Sequence, residues 1–238
     1  MASHVFSRDP VAVPFIETPN RRIATAIPAP GTVTILESLD RFESRSMHGQ
    51  LPLIWHNATG HTIQDHAGNK WIDFTSMIFV ANVGHGNKKV ISRVHEAMEL
   101  PMLGCYAYPN ELRAKYLEKL VNFAGPNFEK AFLLSAGTEA TEAAMKLMKM
   151  YGRKKGKSKN LVLAITGNWH GRTLGAQVLS SNISQREWIS NAETETVHIP
   201  FPYAEKLTIS PVQFLKDSLD QLMADGIDFK TDICGVML

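Results

Sequence analysis

The chain has 238 residues and a formal net charge of +2, from 25 Lys and Arg against 23 Asp and Glu. Hydrophobic residues make up 44% of the chain, which is enough for a sizeable core and excludes a disordered tail or linker. The near-balance of charge gives no argument for binding to nucleic acid or to an anionic membrane surface. Cys105 and Cys234 lie far apart and outside any CxxC pairing, so neither a disulfide framework nor a thiolate metal site is indicated.

The N-terminal 50 residues are predicted to form an extended arm, because five prolines between Pro10 and Pro30 prevent long helices and ladder pairing. Only residues 34–43 have helical spacing there. Short strands joined by tight turns then predict a small antiparallel meander. Its strands are expected at residues 54–58, 62–65 and 70–74. We therefore predict a first domain over residues 1–75 that contains the arm and this antiparallel segment.

From residue 76 onward the pattern alternates between helices and strands. Helical spacing of apolar residues predicts helices over 88–98, 111–124 and 138–151, and a capping box with proline at the first helical position opens another at 210–213. Apolar runs predict strands over 131–134, 161–165, 196–199 and 233–238. This alternation predicts an α/β fold with a mostly parallel sheet and helices on both faces. Because the last strand would be uncovered, residues 76–238 are expected to be the first part of a truncated large domain.

The sharpest candidate site is the segment from Ser135 to Glu142, where a predicted strand ends and an amphipathic helix begins. Free N–H groups and the positive end of the helix dipole make such a helix start a natural phosphate site. Gly137 would let an anion approach the backbone, and the Thr138 hydroxyl could donate a further hydrogen bond. The alternative is an ordinary capped helix, in which Glu139 and Glu142 complement the dipole.

A second candidate is the turn at residues 167–171, which also follows a predicted strand. Trp169 would offer a flat apolar face to an aromatic ligand, and His170 a polar group beside it. Loops at the carboxyl ends of parallel strands line one shared crevice, so the two segments are expected to meet. The alternative is a buried Trp169 and a His170 bonded to backbone.

Other patterns carry no predicted site. Residues 152–158 have one residue too few for a phosphate loop and follow a helix, so a solvated basic connection is expected. His61, Asp65 and His66 lack a fourth ligand, so no metal site is predicted. No segment has the apolar length of a membrane span or the apolar core of a secretory signal, which makes the cytoplasm the expected compartment.

Residues from about 53 to 238 resemble the N-terminal half of the class-III, pyridoxal-phosphate-dependent aminotransferases of fold type I. Four segments match the family in its order: the hairpin at 65–74, the segment at 78–85, the SGTEA-type loop at 135–142 and the aromatic-His-Gly motif at 167–171. The resemblance implies pyridoxal 5′-phosphate (PLP) as the cofactor and a homodimer as the assembly. The cofactor-binding residues that it implies are Gly137, Thr138, Trp169 and His170, and the substrate-binding residues are Ile78 and Phe79.

Two departures from the family pattern concern the site. Ala136 stands where many relatives have Ser, which removes one hydrogen-bonding hydroxyl. Ser76 and Met77 replace the small glycine pair that is common before Ile78, so the substrate pocket is expected to be narrower.

The resemblance implies transfer of an amino group from an amine or amino acid to a keto acid or aldehyde, with no nucleic-acid or membrane partner. No catalytic residue is assigned, because the family's pyridine-binding Asp and Schiff-base Lys lie beyond Leu238. The 238 residues are therefore expected to be inactive as they stand. The alternatives are an amino-acid racemase or aminomutase of the same family, a non-catalytic fragment or binding module, and a nucleotide-binding α/β domain.

Overall fold

The structure, a computed structural model, describes residues 6–44, 49–100, 102, 104–203 and 206–238. The chain divides into two units, Met1–Tyr108 and Pro109–Leu238, and each has its own sheet. The domain division after residue 75 stays a prediction. Of the helices in these described residues, none combines the length and the apolar character that a bilayer span requires.

The first unit contains an antiparallel sheet in the order β1-β2-β5-β4-β3. The strands are β1 (Ile16–Glu17), β2 (Arg22–Ile23), β3 (Asn57–Thr59), β4 (Thr62–Gln64) and β5 (Lys70–Ile72). The predicted meander is therefore present as β3, β4 and β5. The arm is not merely extended, because β1 and β2 extend the sheet through the pairing of Arg22 with Lys70.

Asn69 joins the arm to the meander. Its fully buried side chain accepts a hydrogen bond from the Ala24 N–H at Oδ1 (2.7 Å) and donates from Nδ2 to Thr25 Oγ1 (2.8 Å) and Asp65 Oδ2 (2.9 Å). A buried amide is costly only when its polar atoms lack partners. The turn residue Asn69 thus fixes the arm against the meander without that cost.

The helices of the first unit are α1 (Thr32–Phe42), α2 (Ser76–Phe79) and α3 (Lys88–Met98). The predicted bounds of α3 are confirmed, and Asn87 caps it by accepting from Lys89 N and Val90 N. The turn α2 is left-handed, with φ of 46°, 51°, 56° and 72° along its four residues. Left-handed backbone costs L-residues about 1–2 kcal/mol each, so this segment is strained.

The second unit contains a parallel sheet in the order β7-β6-β8, which confirms the predicted α/β class. The strands are β6 (Leu161–Ile165), β7 (Thr196–Ile199) and β8 (Ile233–Met237). The helices are α4 (Glu111–Ala124), α5 (Gly137–Lys154), α6 (Leu174–Leu179), α7 (Ile183–Arg186), α8 (Pro211–Ala224) and α9 (Phe229–Asp232), with a 3₁₀ turn at Ala192–Thr194.

Strand β6 is buried along its whole length and lies at the centre of this unit. Leu161, Leu163 and Ile165 pack on one face with Leu222 of α8. The alternate residues pack on the other face with Met145 and Met148 of α5 and Leu179 of α6. A continuous apolar run is typical of a strand that is covered on both faces.

Two details differ from the sequence-based expectations. The strand predicted at 131–134 is wrong, because this segment lies outside both described sheets and Phe132 is 72% exposed. An apolar run becomes a strand only where a neighbour supplies backbone hydrogen bonds. The capping box is half formed: Ser210 Oγ accepts from Gln213 N (3.1 Å), but Gln213 Nε2 donates to Asp217 Oδ1 (2.7 Å).

Gly152 sets how closely α5 approaches β8. A Cβ at this buried position would overlap Asn160 Oδ1 and Cys234 Cβ. We expect Gly152→Ala to lower the free energy of unfolding by about 1–3 kcal/mol, as overpacking does, in urea-induced unfolding. The matched control is Gly104→Ala, since a Cβ on Gly104 has no atom within 4 Å. Equal stability of the two variants would contradict this packing.

Candidate cofactor site

Helix α5 begins at Gly137 with N–H groups that an anion can reach. Its N-cap residue is Ala136, whose methyl side chain cannot accept a capping hydrogen bond. Glu139 Oε2 instead accepts from Ser135 N (2.8 Å), one residue before the cap. The first N–H groups of a helix have no intrahelical acceptor, so Gly137 and Thr138 can donate theirs to a ligand. A Cβ on Gly137 would have no atom within 4 Å, so the approach is open.

The loop that follows β6 is held in place by two serines at the end of α6. Gly167 N donates to Ser181 Oγ (2.7 Å), and Ser181 N donates to Asn168 Oδ1 (3.1 Å). His170 N donates to the buried Ser180 Oγ (3.0 Å). These bonds fix the backbone on both sides of the exposed indole between Asn168 and His170.

The two candidate segments meet within the second unit. Gly171, with φ of 135°, lies so close to Thr138 that a Cβ would overlap the threonine side chain. Two residues later, Thr173 Oγ1 lies 3.0 Å from Thr138 Oγ1. The start of α5 and the loop after β6 are therefore neighbours, as expected, although no strand of the described sheets immediately precedes α5.

Trp169 presents its indole outward and is 58% exposed. The Arg172 guanidinium carbon lies 5.4 Å from the centroid of the indole, at a distance typical of a cation–π contact. The alternative of a buried Trp169 is therefore wrong. An exposed ring beside a helix start, where N–H groups lack intrahelical acceptors, can stack on an aromatic ligand that carries a phosphate.

The hydrogen-bond network determines the tautomer of His170. Because Asn168 Oδ1 accepts from Ser181 N, its Nδ2 faces His170 Nε2 at 2.7 Å. Nδ2 can only donate, so Nε2 must be an unprotonated acceptor and the proton lies on Nδ1. Burial also lowers the pKa of His170 from its ordinary value of 6.5. His170 is thus a neutral imidazole beside Trp169.

We expect His170 to stay neutral and protonated on Nδ1 at pH 6.5, because burial disfavours the imidazolium. The unfolded chain gains a proton below about pH 6.5, so the stability that the neutral ring contributes is lost as the pH falls. Long-range ¹H–¹⁵N NMR correlations distinguish the two nitrogens. Asn168→Ala should abolish the tautomer preference, and an Nε2–H tautomer in the parent chain would contradict the network.

Ile78 and Phe79, the expected substrate residues, lie in the left-handed turn α2 of the first unit. Their side chains are 72% and 76% exposed. Their role in substrate binding stays a prediction, and so do the roles of the four residues assigned to the cofactor.

Asp73 anchors the backbone just before this turn. Its Oδ1 accepts from Thr75 N (2.8 Å), Thr75 Oγ1 (2.7 Å) and Ser76 N (3.0 Å). Its Oδ2 accepts from His85 Nε2 (2.7 Å) in the Gly-His segment. The hydrogen bond from His85, followed by those from Thr75 and Ser76, lowers the pKa of Asp73 to about 2.

We expect the ionised Asp73 to stabilise the first unit above about pH 4 and to lose this effect as the pH falls towards 2. The carboxyl has an ordinary pKa of 3.8, so the unfolded state takes up the proton first. The difference in unfolding free energy between the parent chain and Asp73→Asn should therefore shrink from pH 5 to pH 2 in urea titrations. A difference that is constant with pH would contradict this assignment.

Sequence reasoning missed four residues that shape this site: Asn168, Thr173, Ser180 and Ser181. They act through contacts between α6 and the loop, which a sequence pattern does not reveal. For Glu142, the sequence pattern predicts only a favourable interaction with the helix dipole. Glu142 lies four residues after Thr138, which places both side chains on one helix face. This spacing could have indicated that Glu142 belongs to the same site as Thr138.

Comparison with known proteins decides the family. The family model described as aminotransferase class-III matches residues 44–238. The chain belongs to this family. The curated relatives of the class-III chain include ornithine aminotransferase of Saccharomyces cerevisiae, which is 31% identical over 150 residues, or 62% of this chain and 35% of the relative. Acetylornithine aminotransferase of Methanosarcina acetivorans is 29% identical over 161 residues, or 67% of this chain and 39% of the relative.

Solved structures confirm the fold type I architecture. A taurine:2-oxoglutarate aminotransferase from Bifidobacterium kashiwanohense, in complex with PLP and glutamate, superposes with a TM-score of 0.71 and 19% identity. The match covers 86% of this class-III chain and 47% of that structure. Ornithine aminotransferase from Toxoplasma gondii has a TM-score of 0.69 at 16% identity, over 86% of this chain and 44% of that one. The class-III chain thus spans a little over a third of these curated relatives and about half of the solved structures.

Proposed function

We propose that this chain provides the phosphate- and ring-binding part of a PLP-dependent aminotransferase. The observation that carries the proposal is the close approach of Gly171 to Thr138. It places an open helix start next to the loop that carries an exposed indole. Membership of the class-III family and the PLP complex of a structural relative support the same cofactor.

The residues fit the parts of the cofactor. The N–H groups of Gly137 and Thr138 would hold the phosphate at the start of α5, where the helix dipole favours an anion. Trp169 would stack on the pyridine ring, and the neutral His170 would lie beside it. When bound, PLP supplies the electron sink for bond breaking next to the amino group of a substrate.

The proposed reaction moves an amino group from an amine or amino acid to a keto acid or aldehyde. Relatives named ornithine and acetylornithine aminotransferases support amino acids as donors. Ile78 and Phe79 would wall the substrate pocket, and their exposure fits an apolar surface that a second copy of the chain covers in a homodimer. We assign no catalytic residue and expect cofactor binding without turnover.

Calorimetry with pyridoxamine 5′-phosphate tests the proposal, because this form of the cofactor has no aldehyde to react with surface lysines. We expect it to bind at least tenfold more tightly than pyridoxamine, which lacks the phosphate. Trp169→Ala should weaken both ligands by roughly three- to tenfold through loss of stacking. Gly137→Leu should weaken only the phosphorylated ligand, since its side chain would fill the open space at the start of α5.

The matched control is Trp188→Ala, which removes an indole that is 63% exposed and bonded to Gln177. This variant should bind both ligands as the parent chain does. Equal affinity of the parent for the two ligands would contradict the phosphate site. Tighter binding of AMP than of pyridoxamine 5′-phosphate would instead indicate the nucleotide-binding alternative.

A further inference from the structure

Glu142 links the two halves of the proposed cofactor site. It lies on α5 one turn after Thr138, on the same helix face. Its Oε1 accepts three hydrogen bonds from the other segment: Thr173 Oγ1 (2.6 Å), Gly175 N (2.8 Å) and Ala176 N (3.2 Å). One carboxylate oxygen on α5 therefore holds the chain that runs from the loop into α6.

These contacts replace the normal cap of α6. Thr173 is the N-cap residue, but it makes no side-chain cap hydrogen bond of its own in the described chain. Gly175 and Ala176 are the second and third helical residues, whose N–H groups an N-cap side chain ordinarily satisfies. Glu142 takes this role from a different helix. A Cβ at position 175 would overlap Glu142 Oε2, so a larger residue there would displace this carboxylate.

The direction of the hydrogen bonds follows from their chemistry. An ionised carboxylate can only accept, so the Thr173 hydroxyl proton is directed to Glu142. The oxygen of Thr173 is then the acceptor in its 3.0 Å contact with Thr138 Oγ1, and Thr138 is the donor. Thr138, whose N–H is proposed to bind the phosphate, is thus connected through Thr173 to the carboxylate of Glu142. Its hydroxyl proton is directed to Thr173, so the expected hydrogen bond from this hydroxyl to the phosphate is not available in this arrangement.

We propose that Glu142 is a positioning residue that holds the Trp169 loop at a fixed separation from the start of α5. The inference rests on the proposed function. A cofactor that carries both a phosphate and a ring would bind both segments at once, and a rigid link between two subsites raises the effective concentration at the second. Loosening the link should therefore weaken a ligand that spans both subsites, but not one that occupies a single subsite.

Two probes separate these cases. Pyridoxamine 5′-phosphate spans both subsites, and its Kd is measured by calorimetry. Inorganic phosphate occupies only the start of α5, and its Kd is measured from the NMR shift of the Thr138 amide. We expect Glu142→Ala to weaken pyridoxamine 5′-phosphate at least tenfold while the affinity for phosphate falls by no more than twofold. Glu142→Gln keeps an acceptor oxygen and should recover most of the lost affinity.

Glu139→Ala is the matched control, since Glu139 is also an α5 carboxylate, but among the described residues its hydrogen bond is to Ser135 N of its own segment. Removing its charge should change the affinities for both probes by the same factor. If Glu142→Ala fails to fold, Thr173→Val tests the same link and should weaken pyridoxamine 5′-phosphate at least threefold, with phosphate unchanged.

The outcomes distinguish the two proposals. Affinities for both probes that fall together, or an unchanged affinity for pyridoxamine 5′-phosphate, would overturn the role of Glu142. A parent chain that binds pyridoxamine 5′-phosphate no better than pyridoxamine would overturn the proposed function itself. Melting temperatures of all variants separate a loss of positioning from a general loss of stability.

Discussion

The organisation of the site depends on how two neighbouring helix starts satisfy their N–H groups. At α6, the donors at Gly175 and Ala176 are satisfied by Glu142, which comes from α5. At α5, the N-cap residue makes no side-chain cap hydrogen bond in the described chain, and a Cβ on Gly137 would have no atom within 4 Å. Both helix starts attract negative charge. The carboxylate of Glu142 satisfies the start of α6, and under the proposed function the phosphate of the cofactor would bind at the start of α5.

Glycines allow these two starts to come together. Gly171 and Gly175 lie on either side of Thr173, and a side chain at either would overlap Thr138 or Glu142. The loop therefore approaches α5 closely with its backbone at Gly171 and Gly175, and the side chain of Thr173 between them contacts Thr138 and Glu142. Under the proposed function, this close packing would hold the two parts of the cofactor site at a fixed separation.

The sequence predicts the parts of this fold that depend on local pattern. Helices α3 and α4 and strands β6 and β7 have the predicted bounds, because helical spacing and a continuous apolar run are read from consecutive residues. Strands β1 and β2, only two residues each, were not predicted because they exist through pairing with β5 and through the buried Asn69. The apolar run at 131–134 fails for the converse reason, since it lacks a partner in the described sheets.

The candidate site shows the same division between local and distant information. The sequence indicates Gly137, Thr138 and Trp169 as candidates, because a helix start and a glycine-flanked turn after a strand have local signatures, but it leaves the exposure of Trp169 open. It does not indicate that Ser180 and Ser181 hold the Trp169 loop, since two serines after a helix have no distinctive pattern. The hydrogen bonds of these two serines depend on the position of α6 relative to the loop after β6, and the sequence alone does not give that position.

The central position of β6 has a consequence for how the second unit is made. Its two neighbours, β7 and β8, pair with it from about 30 and about 70 residues further along the chain. During synthesis, β6 leaves the ribosome well before either of them. The edge of β6 that pairs with β8 therefore lacks its native partner until residue 237 has been added, well after β7 is available to the other edge. An unpaired edge of an apolar strand is a template for non-native pairing, so during that interval this edge favours aggregation over folding if another strand reaches it first.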